Sequence, residues 1–174
     1  MNVIAVIGSK KSGKTTTIEV LVRGLTKRGY RIATIKHVSE KSFTIDREGK
    51  DTWRHTRAGA QAVMVVAPGE LAIIEKIDTA KLGLQEIFHK FHNNIDIIIL
   101  EGFRSLVERE PTMPKIVAVK TPEEAIEALK RFKPIIAFTG STSIPRKTDI
   151  NVIDVLRDPK RLVDIVEREL HMNV

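Results

Sequence analysis

The sequence predicts an α/β fold, a doubly wound and mostly parallel sheet flanked by helices, with one antiparallel hairpin pair. Short, continuously apolar runs are typical of strands covered on both faces. Segments with helical spacing alternate with these runs, as in folds built from βαβ units. Pro68-Gly69 separates two further apolar runs as a hairpin turn does. With 174 residues and no evident linker, residues 1–174 are predicted to form a single domain.

The chain begins with a predicted βαβ unit. The apolar run 3–7 predicts a strand, helical spacing of apolar residues predicts a helix over about 13–28, and residues 31–36 predict the next strand. Gly29 is positioned to end that helix. Residues 37–50 are polar and without period, which favours a functional loop.

The rest of the chain continues the alternation of strands and helices. Pro122 and Pro159 lie at predicted helix starts, where a missing N–H has no cost. The predicted helices are 51–57, one containing Leu84 to Phe91, 122–131 and 158–170, and the predicted strands are 62–67, 71–77, 95–100, 115–120 and 134–138.

The composition limits the classes of function. Lys and Arg number 29 against 22 Asp and Glu, and the resulting charge of +7 is scattered along the chain. An anionic ligand such as a nucleotide fits this charge at least as well as a nucleic acid, which we regard as the weaker hypothesis. The absence of Cys excludes disulfides and thiolate metal sites. Because no apolar run approaches the roughly 20 residues of a membrane span, and a strand occupies the position of a signal peptide, we expect a cytoplasmic protein.

Residues 8–15 carry the most specific motif, because GSKKSGKT matches the phosphate-loop pattern GxxxxGK[ST] between a predicted strand and a predicted helix. Glycines at both ends let successive backbone N–H groups converge on phosphate oxygens at a helix N-terminus. We therefore expect the P-loop NTPase-like form of the fold and a single P-loop nucleotide-binding domain. The predicted phosphate-binding residues are Gly8, Ser9, Lys10, Lys11, Ser12, Gly13, Lys14, Thr15 and Thr16.

Four side chains outside the glycines are predicted to carry the metal and the chemistry. Thr15 is expected to bind Mg²⁺ through its hydroxyl, and Lys14 to neutralise the β- and γ-phosphates. P-loop folds also place a carboxylate for Mg²⁺ at the end of an adjacent buried strand, and Glu101 stands there. In the polar loop, Asp46 is the candidate for a metal-associated or water-orienting group, with a turn or cap role as the alternative.

From residue 3 to about residue 120, the sequence resembles the molybdopterin-guanine dinucleotide biosynthesis protein B (MobB) family. The resemblance rests on the P-loop, the IKH segment at 35–37, DREGKDTWRHTRAGA at 46–60, EGFR at 101–104 and PKI at 114–116. It implies a homodimeric GTP-binding protein with weak Mg²⁺-dependent hydrolysis. It also implies a partner of the molybdopterin guanylyltransferase type that joins GMP to molybdopterin, in which case Lys14, Asp46 and Glu101 would serve catalysis.

Alternatives remain open at this point. The chain could be an adapter that holds GTP or a pterin dinucleotide without turnover, or a P-loop small-molecule kinase. The sequence is compatible with a guanine or an adenine nucleotide as the ligand, and with a molybdenum or a tungsten pathway. For guanine selection the candidates are Thr139 and the segment Arg146-Lys147-Thr148-Asp149, which differs at its first residue from the NKxD pattern of many GTP-binding proteins.

Overall fold

The computed structural model describes residues 1–91, 94–140 and 149–170. The chain separates into two compact units, of which the first comprises Met1–His37 and Phe88–Val174 and the second comprises Val38–Ile87. In chain order the elements are β1 (Asn2–Gly8), α1 (Lys14–Lys27), β2 (Ile32–Lys36), α2 (Asp51–Arg57), β3 (Ala62–Ala67), β4 (Glu70–Glu75), a 3₁₀ turn (Thr79–Lys81), α3 (Leu84–Phe88), β5 (Ile97–Glu101), α4 (Arg104–Val107), β6 (Lys115–Ala118), α5 (Pro122–Arg131), β7 (Ile135–Thr139), β8 (Asn151–Ile153) and α6 (Pro159–Glu169).

The first unit contains a six-stranded sheet in the order β2-β5-β1-β6-β7-β8. Every neighbouring pair in it is parallel. The order reverses at β1, which pairs with β5 on one side and with β6 on the other, as in doubly wound folds that bind ligands outside the carboxyl ends of their strands. The predicted mostly parallel sheet with a separate antiparallel pair is confirmed.

The side chains of the central strands alternate between two apolar layers. Ile4 and Val6 of β1 belong to one cluster of buried residues together with the inner faces of α1 and α6. Ile7, on the opposite face of β1, lines a small cavity with Ala128 of α5 and with Phe132. Because both faces are covered, β1 is continuously apolar, which is the pattern that predicted it.

Helices α1 and α6 pack closely where Gly24 faces Val163. A Cβ added to Gly24 would lie 2.4 Å from a methyl carbon of Val163, so this contact has room only for glycine. Beside it, Arg28 forms ion pairs with Asp164 and Glu167. Glycine in a helix costs about 1 kcal/mol relative to alanine, and here it permits the close approach of the two helices.

Lys115, the first residue of β6, is completely buried. Its ammonium donates hydrogen bonds to the carbonyl oxygens of Glu110 at 2.6 Å, Met113 at 2.8 Å and Lys133 at 2.7 Å. These three bonds use all the donors of the group, so the charge is solvated by backbone instead of water. Burial lowers the pKa of Lys115, while the carboxylate of Glu110 opposes that change.

The second unit is built around the antiparallel ribbon of β3 and β4, joined by the predicted turn at Pro68-Gly69. The register pairs Met64 with Ile73 and Val66 with Leu71, so these four side chains share one face of the ribbon. All four are more than half exposed, at 57%, 53%, 75% and 57%.

Three short elements were not predicted from the sequence, one of which is the 3₁₀ turn Thr79–Lys81. Strand β8 has three residues and pairs with β7, and helix α4 has a single turn after β5. Across the described ranges, no helix has both the length and the apolar character that crossing a membrane requires.

Candidate functional site

The predicted phosphate loop begins where β1 ends, at the carboxyl edge of the sheet. Gly8 is paired with Ala118 of β6 in the strand register. Its φ is +153°, and an added Cβ would lie 2.3 Å from the carbonyl oxygen of Ala118 and 2.5 Å from the hydroxyl of Ser12. The loop can therefore turn this tightly against β6 only with glycine at position 8.

At its other end the loop leads directly into α1. Gly13 has a φ of +94° and caps the first turn of the helix, and Lys11 also lies in the left-handed region with a φ of +61°. The 14-residue helix α1 directs its free N–H groups and the positive end of its dipole toward the loop. This is the backbone arrangement that binds phosphate in P-loop proteins.

Polar groups within the loop have unused hydrogen-bonding capacity. The hydroxyl of Ser12 is buried and has no hydrogen-bond partner in the described structure, whereas the buried hydroxyl of Ser9 lies within hydrogen-bonding reach of the Glu124 carboxylate. The ammonium of Lys14 is held by the carbonyl oxygens of Ser9 at 2.6 Å and Gly8 at 3.3 Å. Thr15 is exposed. One orphaned serine hydroxyl, one lysine and an accessible threonine hydroxyl together suit an anion with an associated Mg²⁺.

The charges around Lys14 also favour an anion. Burial lowers the pKa of Lys14 most strongly, whereas the carboxylate of Glu101 raises it. Three other cations lower it further: Lys36, Arg104 and Lys120. With four cationic side chains near one carboxylate, the carboxyl edge of β1, β5 and β6 can attract a polyphosphate.

Glu101 is the last residue of β5 and lies beside Val6 of β1 in the strand register. Its side chain is 16% exposed, and its carboxylate lies 3.4 Å from the ammonium of Lys36 at the end of β2. The structure therefore places Glu101 at the same sheet edge as the phosphate loop, in an adjacent strand, as P-loop magnesium chemistry requires.

Arg104 and Lys120 were not predicted as site residues. Arg104 opens α4 after β5, and Lys120 lies just beyond β6, where its ammonium donates to the carbonyl oxygen of Lys10 at 3.3 Å. Both residues follow buried strands, so their position after a strand end was the available sequence signal.

A cavity of about 90 Å³ beside Gly8 and Arg104 is much smaller than the 300–1,000 Å³ of typical ligand pockets.

Asp46 lies in the second unit. One carboxylate oxygen, Oδ1, accepts from the Arg47 N–H at 2.9 Å and from the Thr52 hydroxyl at 2.7 Å. The other, Oδ2, is buried and has no hydrogen-bond partner in the part of the chain that the structure describes. Asp46 therefore makes the local turn contacts that the alternative interpretation predicted, and it also has an unused acceptor. Its association with the metal stays a prediction.

Of the candidates for guanine selection, Thr139 has a contact inside the first unit. The Thr139 hydroxyl lies 3.0 Å from that of Thr17, and this buried pair connects β7 to α1. Asp149 is exposed, whereas 146–148 lie outside the described residues.

The family model for molybdopterin guanine dinucleotide synthesis protein B, MobB, matches residues 3–141. The chain belongs to the MobB family. The match contains the phosphate loop, Asp46 and Glu101, and it extends beyond the segments on which the resemblance was based.

Individual MobB relatives match over nearly the whole chain. The molybdopterin-guanine dinucleotide biosynthesis adapter protein of Haemophilus influenzae is 31% identical over 170 residues, 97% of this chain and 89% of that protein. The adapter protein of the same description from Escherichia coli is 28% identical over 157 residues, 89% of this chain and 85% of that protein. The crystal structure of Bacillus subtilis MobB has a TM-score of 0.73 at 25% identity, covering 99% of this chain and 100% of that one.

Proposed function

We propose that this chain is an Mg²⁺-dependent GTP-binding adapter with slow GTPase activity. It would assist a molybdopterin guanylyltransferase-type partner in attaching GMP to molybdopterin. The observation that carries the nucleotide part is the tight turn at Gly8, with Lys14 and the orphaned Ser12 hydroxyl inside the loop. The pathway part is supported by family membership and by the adapter role in the names of the relatives.

Phosphate oxygens are proposed to bind the backbone N–H groups between Gly8 and Gly13. The orphaned hydroxyl of Ser12 would gain an acceptor in this arrangement, which removes the cost of about 1–3 kcal/mol for a buried unsatisfied group. Lys14 would exchange its two carbonyl partners for the β- and γ-phosphates, where its charge has more effect.

Thr15 and Glu101 are the proposed residues of the magnesium site. A hard cation prefers oxygen ligands, and these two side chains offer a hydroxyl and a carboxylate at one sheet edge. Bound Mg²⁺ supplies neutralisation of the charge that develops on the phosphates. The carboxylate of Glu101 would exchange Lys36 for the metal or for one of its waters.

Hydrolysis is proposed to be slow without a partner. Phosphoryl transfer depends on positioning an attacking water and on stabilising transition-state charge, often with an arginine finger or a glutamine. Neither group was identified in the sequence. Arg104 is a cation near Lys14, but its guanidinium lies 3.9 Å from the carboxylate of Glu127. The second candidate is an adapter that holds GTP or a pterin dinucleotide and hands it to a partner without turnover, and the names of the relatives favour it.

We also propose a homodimer, which the family resemblance first implied. The apolar ribbon face of Met64, Val66, Leu71 and Ile73 supports this, since isolated two-stranded ribbons are marginally stable and exposed apolar patches are typical of protein interfaces. A second copy of the chain carries the same ribbon and can cover it symmetrically.

The P-loop proposal is tested by titrating the purified protein with GTP and ATP, each with and without Mg²⁺. We expect Mg²⁺-dependent binding of GTP, weaker binding of ATP, and at least a tenfold loss of GTP affinity in Lys14→Ala. Lys27→Ala is the matched control, because it removes an exposed lysine at the other end of α1.

Equal GTP binding by the parent and Lys14→Ala would contradict the proposal. Phosphate release in a single turnover then separates the two candidates. Slow release that depends on Lys14 supports the GTPase, whereas tight binding without release, with or without a guanylyltransferase, supports the pure adapter.

A further inference from the structure

The side chain of Arg104 has unused hydrogen-bonding capacity. Its guanidinium lies 3.9 Å from the Glu127 carboxylate, which is longer than a hydrogen bond, and forms no hydrogen bond to another described residue. The nearby Arg131, by contrast, donates to Glu108 at 2.7 Å. Because an arginine carries several N–H donors in a fixed fork and is always charged, Arg104 can still bind an anion.

A left-handed turn places Arg104 at the carboxyl edge of the sheet. Gly102 has a φ of +87° and Phe103 a φ of +54°, so two successive residues directly after β5 lie in the left-handed region. A bulky residue rarely adopts this conformation, and residues held in it cluster at functional sites. Phe103 is held there by burial and by the ring of His37, whose centre is 5.1 Å away. The backbone from which the Arg104 side chain extends is therefore well defined.

The guanidinium of Arg104 borders the phosphate loop. Arg104 and Gly8 both line the small cavity of about 90 Å³ beside the loop, together with Phe132. The positive charge of Arg104 also lowers the pKa of Lys14, which agrees with this position. The Phe132 ring supports the guanidinium, which lies 5.6 Å from its centre, a cation–π distance.

We propose that Glu127 restrains Arg104, and that Arg104, when released, donates hydrogen bonds to the β- and γ-phosphates of bound GTP during hydrolysis. This role rests on the proposed GTPase function and adds a catalytic residue and its regulation to the same site. The carboxylate of Glu127 competes with the phosphates for one guanidinium. Turnover is then slow because Arg104 reaches the phosphates in only a fraction of the molecules.

The charge of Arg104 would act on the bond that breaks. The oxygen of water adds to the γ-phosphorus while the bond from this phosphorus to the bridging oxygen breaks, and the electron pair of that bond stays on the β-phosphate. One proton of the water remains on the inorganic phosphate, and the other passes to solvent. Arg104 gains and loses no proton. Its N–H groups stabilise the negative charge that develops on the bridging and γ-phosphate oxygens.

Glu127 can release Arg104 without disturbing the core. Its side chain is 61% exposed and also lies 3.4 Å from the guanidinium of Arg131, so it shares one carboxylate between two arginines. An exposed ion pair at 3.9 Å is weak. We therefore expect its removal to raise the rate of hydrolysis by about threefold to tenfold.

A transition-state analogue separates catalysis from binding. Aluminium fluoride with GDP resembles the phosphoryl group in transfer, whereas GTP reports ground-state affinity. We expect Arg104→Gln to slow single-turnover hydrolysis at least tenfold and to weaken the GDP–aluminium fluoride complex at least tenfold, with GTP affinity within about threefold of the parent. Arg104→Lys should recover part of both losses, because it keeps the charge without the planar fork. Equal weakening of GTP and of the analogue would overturn the role.

Arg131→Gln is the matched control. Arg131 pairs with the same Glu127 carboxylate and lies 5.4 Å from the centre of the same Phe132 ring, but it is not among the described residues that line the cavity. This variant should hydrolyse GTP within about threefold of the parent rate, whereas Glu127→Gln should be faster than the parent. Glu127→Gln combined with Arg104→Gln should be no faster than Arg104→Gln alone. Circular dichroism checks the folding of every variant.

The proposed function and the role of Arg104 fail separately. A parent protein that binds no GTP, or that binds it and releases no phosphate, would contradict the proposed GTPase. A parent that binds and hydrolyses GTP, with the same rate and the same affinity for the analogue in Arg104→Gln, would overturn only the role of Arg104. An unchanged or lower rate in Glu127→Gln would overturn the restraint.

Discussion

Charged residues act differently at the two ends of the parallel sheet. At the carboxyl end, Lys14 and Glu101 lie among other charges and have capacity for a ligand. At the amino end, Asp96 accepts three hydrogen bonds from Arg31, at 2.8 Å from its backbone N–H and at 3.0 and 2.7 Å from its guanidinium. This pairing joins the starts of β2 and β5, so the role of Asp96 is structural.

Asp96→Asn should reduce the sensitivity of the fold to acid. The guanidinium and then the backbone N–H of Arg31 lower the pKa of Asp96 below the value of about 3.9 in an unfolded chain. A depressed carboxyl pKa stabilises the folded state above the unfolded pKa, and this contribution is lost as pH falls through and below it. Urea unfolding at pH 6 and pH 2.5 should show a smaller decrease in stability for the variant than for the parent.

Arg31→Gln is the reciprocal control for this pair. It should flatten the same acid response, because the aspartate then has no guanidinium to depress its pKa. An acid response in both variants as steep as that of the parent would show that the pair does not contribute.

Among the elements, those with strong local signals were predicted well. The apolar run of β1, the phosphate loop and α5 with Pro122 at its start all have signals within a few residues, and the structure has them in place. Strand β8 could not be found this way, because three residues carry too little pattern and the strand depends on pairing with β7.

The contact between α1 and α6 gives a prediction at this scale. Gly24→Ala should destabilise the protein by about 1–3 kcal/mol despite the higher helix propensity of alanine, because its Cβ would overlap Val163. Val163→Ala alone should cost about 2 kcal/mol through the space left in the core. The double variant should lose less than the sum, because the smaller residue at 163 makes room for the added methyl.

Urea denaturation of the four proteins in this cycle provides the measurement. Strictly additive losses would mean that the helices shift to accommodate the methyl group. A gain in stability in Gly24→Ala would mean that helix propensity outweighs packing at this contact.

At the scale of the whole molecule, the parts of the site differ in how far sequence can predict them. The phosphate loop is one continuous segment, so its motif was sufficient to place it. Arg104 and Lys120 approach Lys14 only because β5 and β6 flank β1, which requires the strand order. Asp46 belongs to the other unit. Its position in the sequence, ten residues after the end of β2, did not show that it would accept a hydrogen bond from Thr52.

Self-association is the prediction for the molecule as a whole. The parent should sediment at twice the chain mass, and Leu71→Lys should shift the equilibrium toward monomer by placing a charge on the apolar ribbon face. Leu156→Lys is the control, because Leu156 is 78% exposed and lies in the first unit. A parent that remains monomeric at high concentration, or a Leu71→Lys protein that sediments as the parent does, would contradict the dimer.

The enclosed ammonium of Lys115 has a further consequence, for chemical labelling. Its nitrogen is held by three carbonyls and lies out of reach of reagents that acylate amines in solution. Acylation at this position requires β6 to leave the sheet, so the rate at which Lys115 acquires an acyl mass reports how often the interior opens. Lys115 is therefore a native reporter of transient opening of the fold, which mass spectrometry can follow without any introduced probe.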